Sequence, residues 1–374
     1  MPETKTAKHT PLMVDSHEDL AWNILTFGRD YRLSAIETRE KEKDSITPRV
    51  NGDTMLGWSE YQSVNMAVIF ATLYASPIRF KEGDWDIISY KNSQEAHQLY
   101  QDQLDAYDRL TGESPNMYQP VLNRVQLEDV VNGHTTSETG IAKDSPVGLV
   151  YSMEGADGVR EPGEVEEWFE RGVRIFGPAW ASTRYSGGTK EPGPLTRDGV
   201  ELVKQIESIG AILDISHMDV QAVLGTFDQY SGRIIATHGN PHTLMKARES
   251  NRFLSDRVIL QLAERGGVIG IVPYNLFLST KWKKGDPKDG VTLDVYVDQI
   301  DYVCQLLGSA DHVGIGTDFD GGFGYQATPA ELNSLSDIGL IIPMLELKGY
   351  TQSEIHKIIG LNWIDYLRKN LPES

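Results

Sequence analysis

Five segments of this chain end in side chains that suit divalent metals. They are Asp15-Ser16-His17-Glu18-Asp19, Met153-Glu154-Gly155, Ile215-Ser216-His217, Ala236-Thr237-His238 and Gly316-Thr317-Asp318. Imidazole and carboxylate are ligands for zinc and related ions, and the His17-x-Asp19 spacing puts two of them on one side of an extended strand. One such pair occurs by chance in many proteins, and a lone histidine at a strand end is more often a hydrogen-bonded structural residue. His17, Asp19, Glu154, His217 and His238 taken together are different, because five separate coincidences would be needed to assemble them without a site. Two metals need a shared ligand, and a carboxylate such as Glu154 can bridge them.

Residues so far apart in sequence meet only if regular elements carry them to one place. Short apolar, β-branched runs occupy 11–17, 63–74, 146–154, 172–180, 210–217, 232–238, 266–275 and 312–318, and helix-period segments separate them. Parallel strands buried on both faces read as near-continuous apolar runs, as most of these do. Eight alternating units predict an α/β fold, a TIM-type (β/α)8 barrel, whose chemistry sits where strands end and loops begin. Thr196 is placed to cap a helix in which Val200, Val203, Ile206 and Ile209 recur every three residues, with Gly210 as its stop. The stretch from Asp30 to Trp58 lacks a clear period and reads as a loop excursion. Residues after Pro329 read as carboxy-terminal helices packed on the outside of the barrel. No linker of domain-separating length interrupts residues 10–370, so residues 1–374 are expected to form one domain.

The 54 acidic against 35 basic residues give a net charge of -19, which repels nucleic acid and anionic membrane surfaces. The one cysteine, Cys304, excludes an intrachain disulfide, fits a reducing compartment and lies in an apolar stretch that predicts packing rather than reactivity. The segment MPETKTAKHTPLMV has no apolar run of signal-peptide length, and no window is long and apolar enough for a membrane span. A cytoplasmic protein with a small-molecule substrate is expected.

These motifs resemble, over essentially the whole chain, the membrane or renal dipeptidases, the M19 peptidases of the amidohydrolase superfamily. The family's D-G-H-x-D is matched by Asp15 to Asp19 with Ser16 in place of glycine. Its E-G-G is matched by Glu154-Gly155-Ala156, its D-L-S-H by Asp214-Ile215-Ser216-His217, and its S-H by Thr237-His238. Its G-[ST]-D-F-D-G appears as Gly316 to Gly321, and Glu264 to Ile271 reads ERGGVIGI. The resemblance implies two divalent metal ions, zinc in the family, held by His17, Asp19 and Glu154 and by Glu154, His217 and His238. It implies Asp318 as acid/base; Asp320 competes, but Asp318 sits nearer the strand end and Asp320 is placed to turn the loop. It also implies a frequent homodimer. Where the family carries a substrate-contacting histidine, this chain aligns Trp180, which cannot accept a proton; Arg184 and Tyr185 are candidate replacements. Arg252 stands where the family arginine pairs with a substrate carboxylate, with Arg248 as competitor, and Tyr274 resembles a pocket tyrosine.

The resulting expectation is a binuclear hydrolase that cleaves the amide bond of a small dipeptide. A metal-bridging hydroxide attacks the carbonyl carbon, since metal binding lowers the pKa of water to roughly 7. Asp318 moves the proton to the leaving amine, and Arg252 holds the far carboxylate. Trp180 motivates an alternative in which the same centre acts on another small amide or a lactone. A non-catalytic metal-holding protein is the third reading. No G-x-S-x-G elbow or G-x-x-x-x-G-K-[ST] loop occurs.

Overall fold

The eight expected strands all form in a computed structural model that describes residues 11–135, 145–248 and 250–374. They are β1 (Met13–Glu18), β2 (Met66–Tyr74), β3 (Val147–Glu154), β4 (Val173–Gly177), β5 (Ile212–Asp214), β6 (Arg233–Ile235), β7 (Ile269–Ile271) and β8 (Val313–Ile315). All pair in parallel in the order β7-β8-β1-β2-β3-β4-β5-β6. A parallel bridge between Ala236 and Ile269 joins the two ends of that order, with Ala236 N donating to Val268 O (3.0 Å) and Gly270 N to Ala236 O (2.9 Å). The sheet thereby closes into a barrel, and no residue of β2, β3 or β5 is exposed, as their apolar runs require. A short strand, Tyr118–Pro120, pairs with β3 outside the ring. The first ten residues, part of the stretch inspected for a signal, lie outside the described residues. Among the described residues no helix is long and apolar enough to cross a membrane.

Inside the barrel, Val14, Phe70, Val150, Ile175, Ile212 and Ile235 share one buried cluster with Trp363. Trp363 belongs to the last helix, Asn362–Asn370, whose indole donates to Ile315 O (3.2 Å). The carboxy-terminal helices therefore pack outside the strands as expected, and the last lies under the end where the strands begin. Higher up, the Ser16 hydroxyl reaches Thr237 O and Ile315 O across the interior. A Cβ at Gly270 or Gly316 would fall 2.0 or 2.1 Å from Thr237 O, so both positions must be glycine for Ser16 to fit there.

Thr196 caps the helix Arg197–Ser208 by accepting from Gly199 N (3.0 Å), and Gly210 follows in the left-handed region (φ 68°). Cys304 is buried, and burial pushes its thiol up to about 11. The reading of Asp30 to Trp58 as loop is corrected: it contains the helices Ala35–Glu42 and Thr47–Val50, and Trp58 opens Trp58–Ser63. The first helix is polar almost all round and depends on a capping box between Ser34 and Glu37, so its apolar period is absent. It is anchored by Glu42, which receives both Nε (3.0 Å) and a terminal nitrogen (3.1 Å) of buried Arg29.

Candidate metal centre

The ends of five barrel strands converge on one buried point. His17 lies in β1, whose pairing with β2 shifts register between Asp15 and Glu18, and Asp19 opens the helix Leu20–Phe27. Glu154 ends β3, whereas His217, His238 and Asp318 follow β5, β6 and β8. The Glu154 Oε1 lies 2.8 Å from His217 Nε2, 3.3 Å from His238 Nε2 and 3.7 Å from His17 Nε2. His17 Nε2 also stands 3.8 Å from Asp19 and 3.9 Å from Asp318. All six expected metal and acid/base residues are thus brought together. Asp318 has left-handed backbone (φ 56°), and a Cβ at Gly321 would sit 2.1 Å from its carboxylate, so glycine keeps that side of the site clear.

The other imidazole nitrogen of each histidine meets a threonine hydroxyl: Thr72 at 3.4 Å from His17 Nδ1, Thr189 at 2.8 Å from His217 and Thr237 at 2.9 Å from His238. For His238 the protons can be assigned by counting. Asp214 Oδ1 accepts from Ser216 N, Ser216 Oγ and Thr237 N, and its Oδ2 accepts from Thr237 Oγ1 (2.6 Å). With its one proton donated to Asp214, the Thr237 hydroxyl must accept from His238 Nδ1–H, which leaves the Nε2 lone pair facing the site. Asp15 forms the matching latch between β1 and β8, accepting from Thr317 N (2.8 Å) and Thr317 Oγ1 (2.5 Å). Neither latch nor the three threonines was singled out from sequence, although Asp15 and Asp214 stand in the quoted motifs.

The donor set fits divalent cations. Two ligands at ~2.1 Å from one tetrahedral ion lie roughly 3.4 Å apart, the scale of the separations above. His17 Nε2 and Asp19 Oδ1 are buried without a hydrogen-bond partner. Burial, with Arg252 and His17 nearby, holds His217 and His238 well below the usual imidazole range, so both present lone pairs. Burial pushes Glu154 well above the usual carboxylate range and carries Asp318 up to about 7. Burial lowers His17, but Glu154, Asp19 and Asp318 outweigh it and raise the imidazole to about 10. A proton held there occupies the place of positive charge that the carboxylates demand.

A cavity of about 290 Å³ opens over this point, lined by Trp180, Arg252 and Tyr274 among others. Arg252 is 3% exposed and donates to Ser216 O (2.8 Å) and His238 O (2.7 Å), while its Nε has no partner. Its competitor Arg248 points away, to Ser279 O and Trp282 O. Tyr274 stacks flat on Phe323 at 4.1 Å, and Trp180 packs its edge against Tyr74 at 4.9 Å. Arg184 and Tyr185 do not line the cavity: Arg184 donates to the Tyr185 hydroxyl, and that hydroxyl donates to Val159 O. Asp320 lies outside it as well, fully buried against Arg29 (2.9 Å), Tyr31 and Met55 N. Sequence reading missed the wall of Trp22, Tyr74 and Trp85. Trp22 follows Asp19 by nearly one helical turn, the signal that could have found it.

Comparison with known proteins places the chain in a family. The profile of the family described as "Membrane dipeptidase (Peptidase family M19)" matches residues 3–370. The chain belongs to that M19 family. As an M19 member it is a metallodipeptidase by family. It is 30% identical over 236 residues to an uncharacterized protein in the pqqA 5' region of Klebsiella pneumoniae, covering 60% of this chain and 83% of that one. It is 29% identical over 224 residues to dipeptidase verJ of Clonostachys rogersoniana, covering 58% and 54%. The match thus spans about half the length of that dipeptidase. Among solved structures, an M19 metallopeptidase called dipeptidase AC superposes with a TM-score of 0.75 at 20% identity, over 98% of this chain and 100% of that one. A metallopeptidase of Rhodobacter sphaeroides, liganded with a phosphinate mimic of L-Ala-D-Ala, gives 0.76 at 19% identity, over 96% and 99%. At such identity the M19 fold is what these two share with the chain.

Proposed function

We propose that this M19 protein hydrolyses small dipeptides at a two-metal centre. The observation that carries the reading is the convergence of three imidazole Nε2 atoms on Glu154 Oε1, beside a cavity walled by Arg252. His17, Asp19 and Glu154 would hold one divalent ion and Glu154, His217 and His238 the other, both zinc by resemblance. Bound ions would supply the acidity that makes water a nucleophile near neutral pH and the charge that draws out a carbonyl oxygen.

The chain's own residues do the rest. Asp318, raised to about 7 by burial, is poised to take a proton near neutral pH and return it to the leaving amine. Arg252 keeps unused N–H donors after its two carbonyl bonds, and these would hold the substrate's terminal carboxylate. The bonds to Ser216 O and His238 O fix the guanidinium relative to His217 and His238, so a substrate held by its carboxylate would be oriented against those imidazoles. The Tyr274 and Trp180 rings exclude water from two sides. Because Trp180 cannot accept a proton and offers only one N–H donor, a second reading keeps the centre and takes another small amide or a lactone. A panel of dipeptides, amides and lactones offered to the metal-loaded protein tests both. Dipeptide turnover that disappears in Asp318→Asn is expected, and turnover of amides or lactones alone would favour the second.

A further inference from the structure

A second cavity, of about 450 Å³, adjoins the metal-site cavity. The two share Val50, Tyr274, Lys284, Gly322 and Phe323, so the stacked Tyr274–Phe323 slab borders both. The wall of the second cavity includes the loop after β7, where Lys281, Lys283, Lys284 and Lys288 crowd together against only Asp286 and Asp289. On a chain of net charge -19 this is a local reversal of sign. Arg49, Lys284 and Lys288 line the cavity against one carboxylate, Asp286, and among the described residues none of the three cations forms an ion pair within 4 Å.

The loop is built rather than slack. Trp282 is 4% exposed and donates its indole N–H to Pro287 O (3.1 Å), while Arg248 clamps Ser279 O and Trp282 O. Lys288 is tied to Leu332 O and lies over the Tyr325 ring (4.5 Å), which the Arg39 guanidinium also approaches (5.0 Å). Holding like charges around one concave surface costs free energy through mutual repulsion, and a bound anion relieves that cost. We propose that this cavity is an anion subsite that takes a second carboxylate carried by the substrate, so that the preferred substrates are acidic dipeptides. The assignment rests on the dipeptidase reading for the bond that is cleaved, but not for the binding of the anion. A free anion such as phosphate has the same chemistry, and the test separates the two sources.

The metal-loaded enzyme and its Arg49→Glu/Lys284→Glu variant are compared on Ala-Glu against Ala-Gln and on Glu-Ala against Gln-Ala at low salt. In at least one pair kcat/KM should favour the Glu member by about tenfold or more, through KM. The ratio should shrink with added salt and fall below about threefold in the variant, as interactions between exposed charges do. Calorimetric titration with the same dipeptides and with inorganic phosphate reads binding without turnover. If no dipeptide is cleaved, the dipeptidase reading falls, yet Glu-selective binding that the variant loses still supports the subsite. Glu and Gln members bound alike by the wild type, or a Glu preference that survives both charge reversals, would overturn it. Phosphate binding that the variant abolishes, without any Glu preference, would assign the cavity to a free anion and overturn the substrate assignment.

Discussion

Replacing Thr237 by valine removes one hydroxyl and almost no volume, and the structure ties two separable losses to it. The first is in stability. Asp214 Oδ2 loses its bond from Thr237 Oγ1 (2.6 Å), and a buried acceptor left unsatisfied costs about 1–3 kcal/mol. The second is in metal affinity. His238 Nδ1–H loses its acceptor at 2.9 Å, so neither the tautomer nor the ring orientation is held, and loss of such a partner typically costs about 10- to 100-fold. That corresponds to roughly 1.4–2.7 kcal/mol of binding. Zinc competition against a chelator measures the second loss, and thermal unfolding in excess chelator measures the first alone. Thr237→Ser keeps the hydroxyl and should restore affinity. A valine variant that unfolds earlier yet binds zinc within about twofold of the wild type would refute the proton count at Asp214, Thr237 and His238.

Three further outcomes are expected. Asp318→Asn should lower kcat by about 100-fold or more with metal content unchanged, whereas Asp320→Asn should cost about 3 kcal/mol of stability by stripping charge from the buried Arg29 pair; steady-state kinetics and denaturant unfolding separate the two. Trp180→His should lower kcat/KM by no more than about two- to twelvefold, the scale of the lost edge contact with Tyr74, and a rise of about tenfold would show that the missing histidine limits the reaction. Burial lowers the Lys288 ammonium from its ordinary 10.5 to about 8, so between those values the unfolded chain binds more protons and the fold gains stability as pH rises. Comparison with Lys288→Met from pH 8 to 10 should show that gain only in the wild type; a parallel profile in the variant would contradict the assignment.

The barrel was legible because parallel strands buried on both faces leave near-continuous apolar runs, and because Glu154, His217, His238 and Asp318 sit at or just past the ends of such runs. The helix Ala35–Glu42 was not, because two of its three buried positions, Thr38 and Glu42, are polar and leave no apolar period. Arg252 could not be separated from Arg248 by sequence, since both lie in one loop and only packing sends one to His238 O and the other to Trp282 O. Asp320 reads as a turn carboxylate, and its deeper role depends on Arg29, almost 300 positions away in the chain. Thr72 and Thr189 were invisible for a similar reason: they come from different strands and loops than the histidines they touch.

We propose that two metals held by His17, Asp19, Glu154, His217 and His238 make this M19 chain a dipeptidase. The two-metal assignment is tested most directly by stripping the protein of metal, adding zinc stepwise, and following both bound zinc and hydrolysis of L,L- and L,D-dipeptides in the same samples. Hydrolysis that climbs to a plateau at two zinc ions per chain is the predicted result. Full activity at one ion per chain, or no hydrolysis of any dipeptide with two ions bound, would contradict it.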